Sequence, residues 1–311
     1  MKQFQNILFV SDITKEEVKA LRHAIKLAED NNTELNVLMV CPPLENSLAE
    51  YKNSYETFLL ERMAQNIEKT KVDLNMLKPK SIKLDIEWGT TPDIRIIQRV
   101  IRNSYDLVVK AADTTSEHKG FRALDMALLR KCPCPVFLYH PTTSDEVKNI
   151  AVAVDPKSEK PEEHDLARKL LKLGQILSLH YKSNLHIISC WDCVLENYLR
   201  HSVLVDISPK ELDDAVKSEG ETYYSLLQVL IHEANIKKQP TIHYLKGSPT
   251  ELIPSVIAEK KIDLLIMGTV ARTGIPGFII GNTAENILQK INCSLWAIKP
   301  QGFVSPVKAY E

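Results

Sequence analysis

The sequence predicts an α/β protein built from two tandem doubly wound domains, each a five-stranded parallel sheet covered by helices on both faces. Three observations carry that expectation. Short apolar runs alternate with longer amphipathic stretches, as in consecutive β-α-β units. The alternation occurs twice along the chain. The 311 residues, 44% of them apolar, suffice for about two domains with a core each.

The first strand is read in Asn6-Ile7-Leu8-Phe9-Val10-Ser11-Asp12, a continuous apolar run ending in an acid, as expected of a strand buried on both faces. It returns as Asn149-Ile150-Ala151-Val152-Ala153-Val154-Asp155. Helical stretches over Lys15 to Asp30, Glu45 to Leu77, Pro92 to Asn103 and Gly120 to Lys131 are answered by Pro161 to Tyr181, Pro209 to Asn235, Pro249 to Lys260 and Asn282 to Ile291. Gly89-Thr90-Thr91-Pro92 and Gly247-Ser248-Pro249 each place a hydroxyl residue and a proline at a helix start. Glu251 is spaced to complete a capping box with Ser248, as Glu211 is with Ser208. Fourth strands follow in Asp106-Leu107-Val108-Val109 and Asp263-Leu264-Leu265-Ile266, and fifth strands in Cys134-Pro135-Val136-Phe137-Leu138 and Cys293-Ser294-Leu295-Trp296-Ala297. The polar segment Pro141-Thr142-Thr143-Ser144-Asp145-Glu146 divides the repeats, giving domains over 1–146 and 147–311. After Pro300 there is no periodicity, and a strap or frayed end is expected.

Composition narrows the function classes. With 39 basic and 40 acidic residues the net charge is −1, so no overall field draws the chain to nucleic acid or anionic lipid. No apolar run approaches the roughly 18 residues of a membrane-spanning helix, and the opening segment lacks the core and cleavage site of a secretory signal. A cytoplasmic location is expected, with the six cysteines reduced.

Ligands of open parallel sheets bind beyond the carboxyl ends of the strands, where strand order reverses. In the second repeat this singles out Asp155-Pro156 and the loop leaving strand four at Met267-Gly268. Four of the ten glycines lie between Gly268 and Gly281. Glycines let backbone N–H groups converge, and the helix starting near Asn282 adds the positive end of its dipole, so this loop is read as a phosphate cradle with Arg272 as an added cation. In the first repeat the matching loop, Lys110 to Phe121, has one glycine and two acids. Acids repel phosphate, so that half is expected to be structural or adapted to another ligand.

Gly268-Thr269-Val270, Arg272-Thr273-Gly274 and Gly281-Asn282-Thr283-Ala284-Glu285, supported by Leu128-Leu129-Arg130-Lys131-Cys132-Pro133, resemble tandem members of the universal stress protein family, in particular its E subfamily. The likeness spans both repeats. It implies a stress-response protein with strand order 3-2-1-4-5. It further implies ATP with Mg²⁺, the strand-one aspartate near the adenosine and a Gly-rich loop on the phosphates. Carried onto this chain, the site comprises Asp155, Pro156, Met267, Gly268, Ala271, Arg272, Gly281, Asn282 and Thr283. Ala271 stands where the family has a second glycine and Asn282 where it has serine or threonine. Alanine at a position needing φ > 0 costs about 1–2 kcal/mol. Asn282 keeps a polar side chain, and Thr283 offers a hydroxyl one residue on. Dimers of the family pair through strand five, which implies an intramolecular pseudo-dimer here and is compatible with a further homodimer.

Other residues invite chemistry less strongly. Cys190-Trp191-Asp192-Cys193 has zinc or redox spacing, but no second C-x2-C answers it, His180, His186 and His201 could join it only by folding, and buried or incidental thiols are the expected reading. Cys132-Pro133-Cys134 is read as packing cysteines. No Ser-His-acid set, nucleophile elbow or P-loop is present, so no catalytic residues and no structural metal are expected, and turnover is at most that of a slow ATPase. Tyr51, Tyr55, Phe58 and Leu59, like Tyr223, Tyr224, Leu226 and Leu227, are read as core-facing, or as walls of an apolar pocket or a partner surface. The expected function is a ligand-binding sensor with a nucleotide site in the second domain. The alternative is a binding module for an apolar or metabolite ligand, or an interaction scaffold, with a relic loop.

Overall fold

The computed structural model describes residues 3–12, 17–75, 81–113, 120–141, 146–157, 160–202, 205, 207–269 and 280–310. The described residues of Met1–Asp145, Thr269–Ile280 and Asn292–Glu311 form one compact unit, and those of Glu146–Gly268 and Gly281–Ile291 form a second.

In unit 1, the strands β1 (Asn6–Ser11), β2 (Glu34–Cys41), β3 (Ile82–Trp88), β4 (Leu107–Ala111) and β5 (Val136–Tyr139) lie parallel in the order β3-β2-β1-β4-β5. This is the arrangement 3-2-1-4-5. A sixth strand joins the sheet. It is β10 (Ser294–Ile298), the last strand of the second repeat, which runs antiparallel to β5 with Trp296 opposite Phe137. The expected five parallel strands are therefore present, and the unit gains an antiparallel neighbour.

Unit 2 orders β6 (Asn149–Ala153), β7 (Asn184–Trp191), β8 (Thr241–Lys246) and β9 (Leu264–Gly268) as β9-β6-β7-β8, all parallel. Strand order reverses at β6, between β7 and β9. The central strands are apolar throughout, and Ile7 to Val10, Leu107 to Val109, Ile150 to Val152 and Leu264 to Ile266 are buried, as two-sided burial requires.

Helices α1 (Val18–Asn31), α2 (Lys52–Asp73), α3 (Pro92–Asn103) and α4 (Ala123–Lys131) belong to unit 1, and α2 is preceded by a 3-10 turn over Asn46–Tyr51. Unit 2 carries α5 (Pro161–His180), α6 (Glu196–His201), α7 (Pro209–Glu233), α8 (Pro249–Glu259) and α9 (Asn282–Leu288). On α2 the aromatic stripe is not a core face, for Tyr51, Tyr55 and Phe58 are exposed while Leu59 is buried. At Gly174, α5 comes so near the sheet that a Cβ would fall 2.3 Å from Val152 Cγ2. Gly220 of α7 packs equally closely on the Trp191 ring.

The capping box of α7 forms as read, with Ser208 Oγ accepting from Glu211 N and the Glu211 side chain accepting from Ser208 N. The box expected at α8 does not. Ser248 Oγ bonds Thr250 Oγ1 at 2.8 Å, and Glu251 is drawn to the Lys290 ammonium at 2.5 Å. An ionic partner distant in sequence outcompetes the local cap.

Candidate ligand-binding site

The pairing of Val152 with Ile266 brings the carboxyl ends of β6 and β9 to one edge of the unit 2 sheet. Asp155 and Met267-Gly268 stand there, at the point where strand order reverses. Asp155 is half-buried, and its Oδ1 accepts the Lys157 N–H at 2.9 Å. Pro156 and Met267 are buried, and Gly268 is half-buried. Thr269 follows as the last described residue before the loop, and its buried hydroxyl has no hydrogen-bond partner among the described residues.

At the far end of the loop, Gly281 is the N-cap of α9 with an extended backbone (φ −63°, ψ 139°), and no side chain caps the helix. Asn282 and Thr283, the first residues of α9, are exposed. Ala271 and Arg272 lie outside the described residues.

Unit 1 treats the same place differently. Where β9 carries Met267, β4 carries Lys110, which is 1% exposed. Its ammonium donates to the Ala111 carbonyl at 2.8 Å, to Asp113 Oδ1 at 2.5 Å and to Asp125 Oδ1 at 3.2 Å. Asp125 is fully buried in the first turn of α4, and its other oxygen accepts the Asp113 N–H at 2.8 Å. The chain's own carboxylate thus occupies the positive end of α4. The sequence shows Asp113 in this loop; the part of Asp125 and the burial of Lys110, whose only sign was a lysine inside an apolar strand, escape it.

Glu17 is a second buried group that sequence reasoning missed. It is 1% exposed beyond β1, accepting from Ser11 Oγ at 2.7 Å and from Asp12 N at 3.0 Å. Burial pushes its carboxyl up to about 7, against the lowering bond from Ser11 and with a smaller push from Asp12. The folded state therefore holds this proton more tightly than the unfolded chain does. The stability Glu17 contributes is complete below pH 4.5 and is lost as pH rises to about 7. Thermal unfolding across pH 4.5 to 8 should show that decline, at most about 1.4 kcal/mol per pH unit, and Glu17→Gln should flatten it.

The remaining candidates separate. Burial, with Asp155 nearby, pushes the Cys190 thiol up to about 11, and Cys193 is also raised by desolvation and by Glu219. His186 Nδ1 lies 3.0 Å from His243 Nε2, and His201 Nδ1 lies 2.8 Å from the Asn197 carbonyl oxygen. Among the described residues no three His, Cys, Asp or Glu side chains are grouped to hold a metal ion. No helix among them is long and apolar enough to cross a membrane. Along α7 and the ends of β7 and β8, Trp191, Gly220, Tyr224 and Tyr244 line an open groove of about 500 Å³. Trp191 stacks on Tyr244 with centroids 6.0 Å apart, and the Lys246 ammonium lies 5.7 Å from the Trp191 centroid.

The model of the universal stress protein family matches residues 3–140 and 146–299, one copy on each repeat. The chain belongs to the universal stress protein family. It is 27% identical to universal stress protein E of Photorhabdus laumondii, over 99% of each chain. It is 29% identical to the universal stress protein E homolog of Haemophilus influenzae, over 96% of this chain and 98% of that one. Among solved structures, a functionally unknown protein from Pseudomonas aeruginosa PAO1 shares the fold with a TM-score of 0.73 at 22% identity, covering 97% of this chain and 95% of its own. Each of these alignments spans both repeats of the chain.

Proposed function

We propose that this universal stress protein is a cytoplasmic ligand-responsive regulator whose second repeat binds an ATP-type nucleotide with Mg²⁺. The observation that carries the reading is that Asp155 follows β6 and Gly268 ends β9, two adjacent parallel strands whose carboxyl ends lie where strand order reverses. The start of α9, which no side-chain hydrogen bond caps among the described residues, supports it. Bound nucleotide supplies negative charge. The chain supplies the Asp155 carboxylate and the main-chain amides of Asn282 and Thr283, while Lys110 and Asp125 close the first repeat to an anion. The antiparallel pairing of β5 with β10, the fifth strands of the two repeats, supports the pseudo-dimer reading. A protein partner would then read occupancy through a difference in ligand affinity between two conformations.

Isothermal titration with ATP and Mg²⁺ tests this. Saturable heat is expected, with affinity at least about tenfold weaker in Asp155→Ala, the loss of one charged hydrogen bond. Absence of heat at millimolar nucleotide would overturn it. The aromatic groove at Trp191 and Tyr244 favours one second reading, an apolar or metabolite ligand. Mass spectrometry of small molecules released on denaturation separates the two, as adenine nucleotide supports the first and a lipid or other apolar molecule the second.

A further inference from the structure

We propose that Cys132 and Cys134 form a reversible dithiol–disulfide pair, in which a hydroperoxide oxidises the Cys132 thiolate and Cys134 resolves the product. The two sulfurs lie 3.6 Å apart where α4 gives way to β5, bracketing Pro133. The Lys299 ammonium, from the segment after β10, donates to the Cys132 carbonyl at 2.6 Å and lies 4.7 Å from the Phe303 centroid. No carboxylate bonds it among the described residues, so the thiols are the groups placed to balance its charge. Burial brings this ammonium down to about 8.

The pair is asymmetric. A hydrogen bond from Cys134 and the charge of Lys299 hold the Cys132 thiol below its ordinary value, while Cys134 is raised. The Lys299 ammonium sits on the Cys132 carbonyl, and this placement makes Cys132 the attacking sulfur and Cys134 the resolving one. By contrast, burial and Asp155 push the Cys190 thiol up, and no cation among the described residues lowers it.

In the first step the Cys132 thiolate attacks the peroxide oxygen, an S–O bond forms, the O–O bond breaks, and the released alkoxide or hydroxide takes a proton from water. Cys132 becomes a sulfenic acid, and the peroxide gains two electrons. The Cys134 sulfur then attacks the Cys132 sulfur, the S–S bond forms, and the departing hydroxide leaves as water with the Cys134 proton. A thiol reductant returns the two electrons. The sulfurs must close to about 2.05 Å across a single intervening proline, a short loop whose strain favours ready reduction. Cys132 is fully buried and Cys134 nearly so, and Ser305 Oγ of the covering segment donates to the Lys131 carbonyl at 2.7 Å.

The test treats the full chain with hydrogen peroxide, alkylates free thiols and maps the tryptic peptide 132–148. The expected peptide is unalkylated and lighter by two hydrogens, and dithiothreitol restores it. Cys134→Ser should trap Cys132 as a dimedone adduct. Lys299→Met should slow oxidation about tenfold and move its pH–rate profile upward, while Lys299→Arg keeps both near the native values. A peptide that stays fully alkylatable, a linkage confined to Cys190 and Cys193, or a Lys299→Met rate equal to native would overturn the proposal.

Discussion

Replacing Lys110 by methionine is expected to destabilise the protein by about 3–5 kcal/mol, the cost of breaking a buried ion pair from one side. The methionine itself is not the source of the loss, for it fits an apolar strand and is what the second repeat carries at Met267. The cost arises at Asp125, which is fully buried in the first turn of α4 and depends on the Lys110 ammonium and the Asp113 N–H. Burial already lifts its carboxyl to about 6 in the presence of that cation. The double substitution Lys110→Met with Asp125→Ala imports the residues of the second repeat, Met267 and Ala284. It should recover most of the loss, because no fully buried charge is then left alone. Urea unfolding of the three proteins checks this, and a single-mutant loss under about 1 kcal/mol would mean that the pair is effectively solvated.

The same ion cluster shows where the sequence is readable and where it is not. Strands such as Ile7 to Val10 and Leu264 to Ile266 declare themselves because two-sided burial imposes an unbroken apolar run, and the repeat of that signal carries the fold. Local chemistry is readable while no distant group competes. Ser208 and Glu211 cap α7 as their spacing demands, whereas Glu251 abandons Ser248 for Lys290, a partner in the turn after α9. At the candidate site, Asp155 and Gly268 are legible as the ends of strands that the structure pairs side by side. Glu17, Lys110 and Asp125 are not, since each owes its burial to elements brought together only by folding. The antiparallel placement of β10 beside β5 also leaves no mark in hydrophobic periodicity, which reports burial and not neighbours.

That placement makes Trp296 the side chain with the second large expected effect. Trp296→Ala should cost about 3–5 kcal/mol, as for other buried aromatic truncations. Its ring is 0% exposed, stacks on Phe137 with centroids 4.9 Å apart and an interplanar angle of 16°, and meets Phe4 at 5.7 Å. Those partners come from β5 and from the segment before β1, so a residue of the second repeat is part of the core of unit 1. Trp88 on β3 reports on that unit, and its fluorescence transition in denaturant should move to lower concentration in Trp296→Ala. Trp296→Phe provides the contrast. The indole Nε1 is buried without a hydrogen-bond partner among the described residues, so removing it relieves an unsatisfied donor while most of the stacking area stays. The phenylalanine variant should therefore lie within about 1.5 kcal/mol of the native protein. Equal losses in the two variants would mean that the indole nitrogen, not the stacked ring, holds β10 in unit 1.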